Sequence, residues 1–389
     1  MASFFRPFQR SVRALRCHPQ VDGTRSLMAT KQALESYDGN RVTSYSPLFG
    51  LRRELQFPPL ERIDFAAGDG NALIMHHTSG GTRGPVVLTP GTAMTGLSYC
   101  IDSVPQNLIE FLVARGFDVW LFDWRTSPLL AAHEQPYTLD DVAHYDWPAA
   151  IAEVRRRTGR DRVSVMAHCL SSPCFLLSLV RGYMPAQHIR SFVASQVALH
   201  LTMTTVGTIK LKLRVEKLLP GANMIHQKMA HVGGQFSDFA VSVLSHIIPK
   251  SYHCDNPVCH RHSATFGDLI LHSRVNPPTH TMMGDLIPEC LCGFLKDVAV
   301  WGRKKSILKK DDMQNLERLK LPISFISGSE NRMFVPAATE KSYRLLCEKN
   351  GESFYQRKVY ADFGHLDCFV GQGADQIIWP DIAKALEQN

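Results

Sequence analysis

From about residue 62 onward, short apolar runs alternate with longer segments in which apolar residues recur at helical spacing. Short runs bounded by turn residues predict β-strands, and the longer periodic segments predict α-helices. The predicted strands are 62–66, 72–77, 85–89, 118–124, 162–167, 191–196 and 322–327, and the predicted helices are 104–115, 139–157, 170–181 and 337–349. This alternation predicts an α/β fold, in which a mostly parallel central sheet carries helices on both faces. Reactive side chains are then expected at the carboxyl ends of the strands.

Two parts of the chain depart from this alternation. Residues 197–320 are helix-like and rich in His, Met and Cys, which predicts a helical cap inserted into the sheet domain. The first twenty residues contain four arginines and no acidic residue, with apolar residues on the opposite side of a helical wheel. This pattern predicts a leader at 1–35 that is typical of a mitochondrial transit peptide, with a membrane-surface helix or an unstructured leader as alternatives. Without such a targeting signal, a cytoplasmic protein is expected. The predicted core occupies 36–196 and 321–389.

Charge and cysteine content narrow the class of protein. The net charge of +7 comes from 43 basic and 36 acidic residues, and part of the excess lies in the first twenty residues. The remainder is only mildly basic, which disfavours a nucleic-acid partner. No apolar run approaches the roughly 18 residues that a transmembrane helix needs, so no transmembrane segment is predicted. Ten scattered cysteines without a dense framework indicate free thiols in a reducing compartment.

A reactive cysteine is predicted where the strand 162–167 meets the following helix. The sequence Ala167-His168-Cys169-Leu170-Ser171 places a nucleophilic side chain between small residues, the pattern of a nucleophile elbow. Ala167 and Ser171 stand where glycines are usual, and Cys169 stands where serine is usual. The helix N-terminus is expected to lower the pKa of the thiol below about 8.5 and to favour the thiolate. A buried, inert cysteine at the junction is the alternative.

Two later segments offer the other members of a catalytic triad. His365 follows a strand-like run near the C-terminus, and a neutral imidazole can take the thiol proton and later return it. Glu330 is the only carboxylate in the turn after the last predicted strand, where it would orient His365, with Asn331 as the fallback. The order Cys169, Glu330, His365 is the nucleophile–acid–histidine order of α/β-hydrolases.

A glycine-containing loop after the strand 85–89 is the predicted source of oxyanion stabilisation. In this architecture one backbone N–H comes from that loop and one from the residue after the nucleophile. The corresponding residues are Thr92, or its neighbour Ala93, and Leu170. One such donor is typically worth about 3 kcal/mol, because it stabilises charge that appears only in the tetrahedral intermediate.

With these motifs the chain resembles the α/β-hydrolase superfamily. More closely, it resembles the hydrolase-like region fused to cholesterol-oxidase-type glucose-methanol-choline oxidoreductases. The likeness covers roughly residues 60–389 and rests on 167–171, Ser195-Gln196, 255–261, 266–268, His272, Asn276, Thr279-His280, 328–331 and 364–368.

This resemblance implies an esterase or lipase-like activity on lipid or sterol-like acyl compounds and a functional link to an oxidoreductase. A cysteine at the elbow also resembles polyhydroxyalkanoate synthases and dienelactone hydrolases, which depend on cysteine. The chain has no Gly-rich dinucleotide fingerprint near its start, so neither a flavin nor another cofactor is expected.

The cap sequence raises the question of a metal. Residues 253–262 contain several thiols and imidazoles, and Cys290 and Cys292 follow downstream. The spacing C-x4-C-H-x-H is not one of the usual pairs of zinc-ligand motifs, so no metal is predicted. The segment is interpreted as a compact cap turn, in which later histidines and Asn276 face the pocket or each other. The candidate substrate-binding residues are His168, His272 and His280.

Three functions remain open at this point. The preferred hypothesis is a hydrolase that cleaves an ester or thioester of a hydrophobic, lipid- or sterol-like substrate through a thioacyl-enzyme. An acyltransferase would pass the same acyl group to an alcohol or thiol, and the difference depends on how well the cap excludes water. A catalytically inactive hydrolase fold that binds a lipid or a protein is the third hypothesis. The replacement of the usual elbow glycines by Ala167 and Ser171 favours this third hypothesis. The presence of Cys, Glu and His in the catalytic order opposes it.

Overall fold

A computed structural model describes residues 41–42, 53–217, 224–226, 236–247 and 254–388. The strands are β1 (Arg41–Val42), β2 (Leu60–Ala66), β3 (Ala72–Ser79), β4 (Pro85–Thr89), β5 (Asp118–Asp123), β6 (Val163–His168), β7 (Ile189–Ser195), β8 (Met224–His226), β9 (Glu289–Leu291), β10 (Ile323–Gly328) and β11 (Tyr355–Tyr360). The predicted leader, residues 1–35, lies outside the described residues, so the mitochondrial location expected from it stays a prediction.

Helices connect most of these strands. The α-helices are α1 (Leu108–Val113), α2 (Leu139–Asp141), α3 (Trp147–Thr158), α4 (Ser171–Val180), α5 (Thr205–Lys212), α6 (Phe236–Ile247), α7 (Pro257–Thr265), α8 (Pro277–Thr281), α9 (Met283–Leu286), α10 (Phe294–Lys304), α11 (Ala337–Asn350), α12 (Asp367–Val370), α13 (Ala374–Ile377) and α14 (Trp379–Leu386). Among the described residues, no helix is long and apolar enough to cross a membrane.

Nine strands form one sheet in the order β1-β2-β3-β5-β4-β6-β7-β10-β11. The pairs β1–β2, β2–β3 and β3–β5 are antiparallel, and every other neighbouring pair is parallel. The parallel strands β4, β6 and β10 are buried along their whole length. Their near-continuous apolar runs are typical of parallel strands that helices cover on both faces. The predicted mostly parallel sheet is therefore confirmed.

The predicted strands all occur, with ends displaced by no more than about two residues. The first predicted helix is shorter than expected because a capping box fixes where α1 begins. The Asn107 side chain accepts from the Glu110 N–H at 3.0 Å, and the Glu110 carboxylate accepts from the Asn107 N–H at 2.8 Å. Arg53 holds the same carboxylate at 2.6 Å. These side-chain contacts satisfy N–H groups that a longer helix would have bonded.

The chain between β7 and β10 contains α5 to α10 together with a two-stranded antiparallel sheet, β8–β9. We call residues 197–320 the cap. The helical elements agree with the expected helix-like character, whereas the β8–β9 sheet is not predicted from the sequence. Its strands are three residues long, too short for a period of two to stand out from the surrounding pattern.

A buried ion pair fixes the loop after β5. The Arg125 backbone N–H and Nε donate to the Asp146 carboxylate at 3.1 and 3.0 Å, and neither residue is more than 3% exposed. The neighbouring Asp123 carboxylate accepts from the Gly96 N–H at 3.0 Å and from the Ser127 hydroxyl at 2.6 Å. Both side chains thus organise loops at the carboxyl edge of the sheet.

Replacing Arg125 tests how much the Arg125–Asp146 ion pair contributes to the free energy of unfolding. The Arg125→Met variant leaves the Asp146 carboxylate buried without its counter-charge, so the free energy of unfolding should fall by about 3–5 kcal/mol. Urea unfolding measures the change. The double variant Arg125→Met/Asp146→Leu should regain part of the loss, and Arg156→Met, whose side chain is 65% exposed, should leave the midpoint unchanged. A single variant as stable as the wild type would show that the pair does not hold the loop.

Candidate active site

The turn between β6 and α4 places Cys169 at the carboxyl edge of the sheet. Its φ of +55° lies in the left-handed region, which non-glycine residues rarely occupy except at strained functional turns. The Cys169 N–H donates to the Ser195 carbonyl at 3.1 Å, which anchors the turn to β7. Gly91 approaches so closely that a Cβ there would lie 3.0 Å from the Cys169 Cβ. The backbone has the geometry of a nucleophile elbow.

Two backbone N–H groups near Cys169 act to lower the pKa of its thiol. They belong to Leu170, the next residue along the chain, and to Thr92, in the loop after β4. The adjacent Ala93 has a φ of +63°, so this loop also turns through the left-handed region. The backbone donors of an oxyanion hole come from these same two segments, beside the nucleophile.

Burial controls the protonation of the thiol. Cys169 is only 6% exposed, and burial raises the pKa of its thiol to about 12, although the N–H groups of Leu170 and Thr92 act to lower it. The prediction that the helix N-terminus lowers the pKa of this thiol is therefore wrong. The helix N-terminus stabilises a thiolate, but removing the sulfur from water destabilises it more. Cys169 is a neutral thiol at neutral pH.

Two buried histidines lie next to each other beside the elbow. The ring centroids of His168 and His365 are 4.6 Å apart, and the His168 Nδ1 lies 3.1 Å from the Ser195 hydroxyl oxygen. Burial lowers the pKa of His365 to about 3 and holds the pKa of His168 well below its usual value. Both imidazoles are therefore neutral at neutral pH. Within the described residues, the His365 Nδ1 has no hydrogen-bond partner.

The turn after β10 separates the two residues considered for the triad acid. Glu330 is exposed, and among the described contacts none joins its carboxylate to His365. Asn331 is 2% exposed, and its amide nitrogen donates to the Gln196 side-chain oxygen at 2.8 Å. Glu330 as the third triad member stays a prediction. The buried polar side chain in this turn is that of Asn331, the alternative to Glu330.

Gln196 is a buried polar residue that the predicted site does not include. Its side-chain oxygen accepts from the Gly328 N–H at 3.1 Å and from Asn331, and its nitrogen donates to the Cys368 sulfur at 3.0 Å. Its backbone, with a φ of +75°, turns the chain out of β7. Gln196 therefore links the ends of β7 and β10 to α12, which follows His365. A polar residue directly after a buried strand is the only local signal of this role.

Cys169, His168 and His365 line one cavity beneath the cap. The cavity encloses about 1010 Å³, its open mouth included, and Thr92 and Leu170 lie in its wall. The rest of the lining is mainly apolar, from core and cap, and includes Met203, Leu211, Leu244, Phe266, Phe294 and Phe334. A pocket of this kind suits a hydrophobic ligand whose reacting group meets a few polar atoms.

The other two candidate substrate-binding residues lie elsewhere. His272 and His280 are not among the residues that line the cavity. Their ring centroids are 5.0 Å apart, and the His280 Nε2 lies 3.4 Å from the Cys254 sulfur and 3.1 Å from the Cys259 sulfur. Of the expected alternatives, these histidines face each other and two cysteines rather than the pocket. His168 alone of the three lies beside Cys169.

Solved structures resemble this fold at low sequence identity. An esterase from Exiguobacterium antarcticum superposes with a TM-score of 0.54 at 11% identity, covering 84% of this chain and 99% of that structure. A thermophilic esterase from Thermogutta terrifontis gives a TM-score of 0.50 at 13% identity, with coverage of 84% and 99%. With the sheet order given above, the chain has the α/β-hydrolase fold.

Sequence comparison finds distant relatives, and no protein-family model matches. Lipase member K of Homo sapiens is 22% identical over 373 residues, which are 85% of this chain and 88% of that protein. Triacylglycerol lipase 2 of Arabidopsis thaliana is 28% identical over 166 residues, covering 40% and 37%. A poly(3-hydroxyalkanoate) polymerase subunit of Haloferax mediterranei is 20% identical over 299 residues, covering 75% and 56%. These comparisons support the α/β-hydrolase superfamily.

The buried neutral thiol makes a prediction about alkylation. At pH 7 iodoacetamide should modify Cys169 about 100-fold more slowly than free cysteine, because the thiolate fraction falls by more than the gain in nucleophilicity restores. The rate should rise steadily up to pH 9, since the pKa of about 12 lies higher still. Peptide mapping follows Cys169, with the half-buried Cys347 as an internal reference. A plateau below pH 9 would reveal a stabilised thiolate and contradict the neutral-thiol assignment.

Proposed function

We propose that this protein hydrolyses carboxylic esters or thioesters of hydrophobic acyl compounds, with Cys169 as the nucleophile and His365 as the general base. The observation that carries the proposal is the elbow geometry of Cys169, whose φ of +55° lies at the strand-to-helix turn and whose side chain lines the cavity. His365 lines the same mainly apolar cavity as Cys169. Relatives named as lipases support ester hydrolysis on lipids.

The reaction starts from two neutral groups. As the sulfur attacks the carbonyl carbon, the His365 imidazole takes the thiol proton, and a C–S bond forms while the carbonyl π electrons move to oxygen. The N–H groups of Leu170 and Thr92 stabilise that oxyanion. When the intermediate collapses, the C–O or C–S bond of the substrate breaks and the imidazolium protonates the leaving alcohol or thiol. A thioacyl-enzyme remains on Cys169.

Water completes the hydrolysis by the same proton path. His365 removes a proton from the attacking water, a second tetrahedral intermediate forms, and its collapse releases the acid and returns the proton to the Cys169 sulfur. The chemistry needs no group beyond the side chains and backbone of the chain. Because both reacting groups are neutral at rest, proton transfer must accompany the attack rather than precede it.

Acyl transfer is a second candidate function. The similarity to a poly(3-hydroxyalkanoate) polymerase subunit favours it, because that protein is named for a polymerising activity. An alcohol or thiol would then replace water in the second half-reaction. A sterol-like substrate and a functional link to an oxidoreductase are proposed from the sequence resemblance alone.

An acyl-enzyme experiment tests the nucleophile. Intact-mass spectrometry after mixing with p-nitrophenyl esters and acyl thioesters should show one acyl group on the wild type and none on Cys169→Ala. Turnover by Cys169→Ala should fall by about 1,000-fold or more, because oxyanion donors alone give little catalysis. The matched control Cys347→Ala should behave like the wild type.

The same panel decides between the remaining functions. Adding a long-chain alcohol should leave the free acid as the main product if the protein is a hydrolase, whereas an ester product identifies an acyltransferase. Unchanged turnover by Cys169→Ala would exclude Cys169 as the nucleophile. A folded wild type without any adduct or turnover would favour the inactive binding protein.

Substitution of Glu330 tests the third triad position. Because Glu330 is the predicted third triad member, Glu330→Gln should lower kcat by about 100-fold or more, and His365→Gln should lower it by about 1,000-fold or more. Initial rates with the best ester of the panel provide the measurement. A kcat of Glu330→Gln within about threefold of the wild type would show that this exposed carboxylate does not orient His365.

A further inference from the structure

A second cluster of reactive side chains lies outside the Cys169 cavity. Cys254, Cys259, His272 and His280 each present one ligand atom, and these four atoms lie within 4.8 Å of one another. Cys254 precedes α7 and Cys259 lies within it, whereas His280 belongs to α8 and His272 to the short 3₁₀ turn before α8. The fold therefore brings together two thiols and two imidazoles from different elements of the cap.

The distances fit a tetrahedral metal site. With bonds of about 2.3 Å to sulfur and 2.0–2.1 Å to nitrogen, the ligand atoms of a tetrahedral zinc site are about 3.3–3.8 Å apart. The His280 Nε2 lies 3.4 Å from the Cys254 sulfur and 3.1 Å from the Cys259 sulfur. All four ligand atoms lie within 4.8 Å of one another, so binding one ion requires the most distant of them to approach by about 1 Å.

The surroundings of Cys254 suit a metal-bound thiolate. The Asn256 N–H points at the Cys254 sulfur at 3.4 Å, a contact that stabilises negative charge on sulfur. The His260 Nε2 lies 2.5 Å from the Cys254 carbonyl oxygen, which fixes the backbone from the other side. Cys259 is buried, Cys254 and His280 are half-buried, and His272 is exposed. The exposed ligand leaves a path by which an ion can enter.

We propose that Cys254, Cys259, His272 and His280 bind one Zn²⁺ as a structural site. Two thiolates and two neutral imidazoles favour zinc over Mg²⁺ or Ca²⁺, which prefer oxygen ligands. Four protein ligands complete the tetrahedron and leave no open position for water or substrate, so the site is structural rather than catalytic.

The local sequence does not reveal this set because the ligands are widely spaced. Their pattern is C-x4-C-x12-H-x7-H. The usual histidine pair of a zinc motif is separated by three to five residues, and the nearer histidines at 260 and 262 suggest a different, less plausible arrangement. Only the packing of α7 against the turn and α8 shows which histidines meet the cysteines.

The segment that supplies both histidines is attached to the sheet domain. The Asn276 amide donates to the Ser103 carbonyl at 2.8 Å, and the Ser103 and Thr279 hydroxyl oxygens are 2.7 Å apart. The neighbouring Leu271 N–H donates to the Asp367 carboxylate at 3.0 Å, two residues after His365. A zinc ion here would tie α7 of the cap to the segment that supports the His365 loop.

Metal content and cobalt spectroscopy test the proposal on the full chain. Untagged, fully reduced protein equilibrated with zinc and then dialysed should retain about one zinc ion per chain by mass spectrometry of the metal. Cys259→Ser and His280→Ala should each retain less than about a fifth of that amount, because three ligands hold zinc weakly. Cys347→Ser and His188→Ala, which alter the same residue types elsewhere, should bind zinc like the wild type.

Co²⁺ binding to the wild type tests the site even if a ligand variant fails to fold. Wild-type protein loaded with Co²⁺ should show the strong visible absorption of tetrahedral, thiolate-ligated cobalt, and zinc should abolish it. Dipicolinate should lower the melting temperature by about 3 °C or more, with recovery on adding zinc.

Two results would contradict the zinc site. The first is a reduced wild type that retains no more zinc than Cys259→Ser, and the second is the weak spectrum of octahedral cobalt. A Cys254–Cys259 disulfide in protein that binds no zinc after reduction would identify a thiol pair instead of a metal site. None of these measurements depends on ester hydrolysis, so the zinc site and the proposed activity stand or fall separately.

Discussion

The left-handed backbone at Cys169 is the constraint on which the arrangement of the site depends. A φ of +55° turns the chain from β6 into α4 within one residue and presents the thiol above the sheet edge. The same turn places the Leu170 N–H where it acts to lower the pKa of the thiol. It also requires Gly91 in the loop after β4, since a Cβ there would lie 3.0 Å from the Cys169 Cβ. One backbone conformation thus positions the proposed nucleophile and one of its two proposed oxyanion donors together.

Burial then decides how such a site operates. The same removal from water raises the pKa of Cys169 to about 12 and lowers the pKa of His365 to about 3. Both shifts favour the neutral forms, so no thiolate–imidazolium pair waits for substrate. In the proposed reaction, charge appears only during the attack, when the Leu170 and Thr92 N–H groups are already in place and need no reorganisation. In this respect the proposed cysteine nucleophile would act as a serine does.

The sheet and the strand-to-helix turn that carries Cys169 could be predicted because their signals are local. Apolar runs of strand length and a small–x–Cys–x–small turn occupy consecutive residues. The contacts of Gln196 and the cluster of Cys254, Cys259, His272 and His280 could not be predicted, because distant parts of the chain supply the partners. The exposure of Glu330 likewise depends on which segments cover its turn. Local patterns indicate elements and turns, and burial follows only from their packing.

The cap leaves and rejoins the sheet at adjacent strands. β7 ends at Ser195 and β10 begins at Ile323, and in the paired register Ser195 lies opposite Ile326. Because the two strands are parallel, the cap leaves at the carboxyl end of β7, beside Ile326, and returns to the opposite end of β10 at Ile323. Doubling the length of a loop with fixed ends adds only about 0.6 kcal/mol of closure entropy, so the sheet tolerates inserts of very different size. The cap residues that line the cavity belong to one continuous insertion, so the shape of the cavity can change without any change in the strands of the sheet.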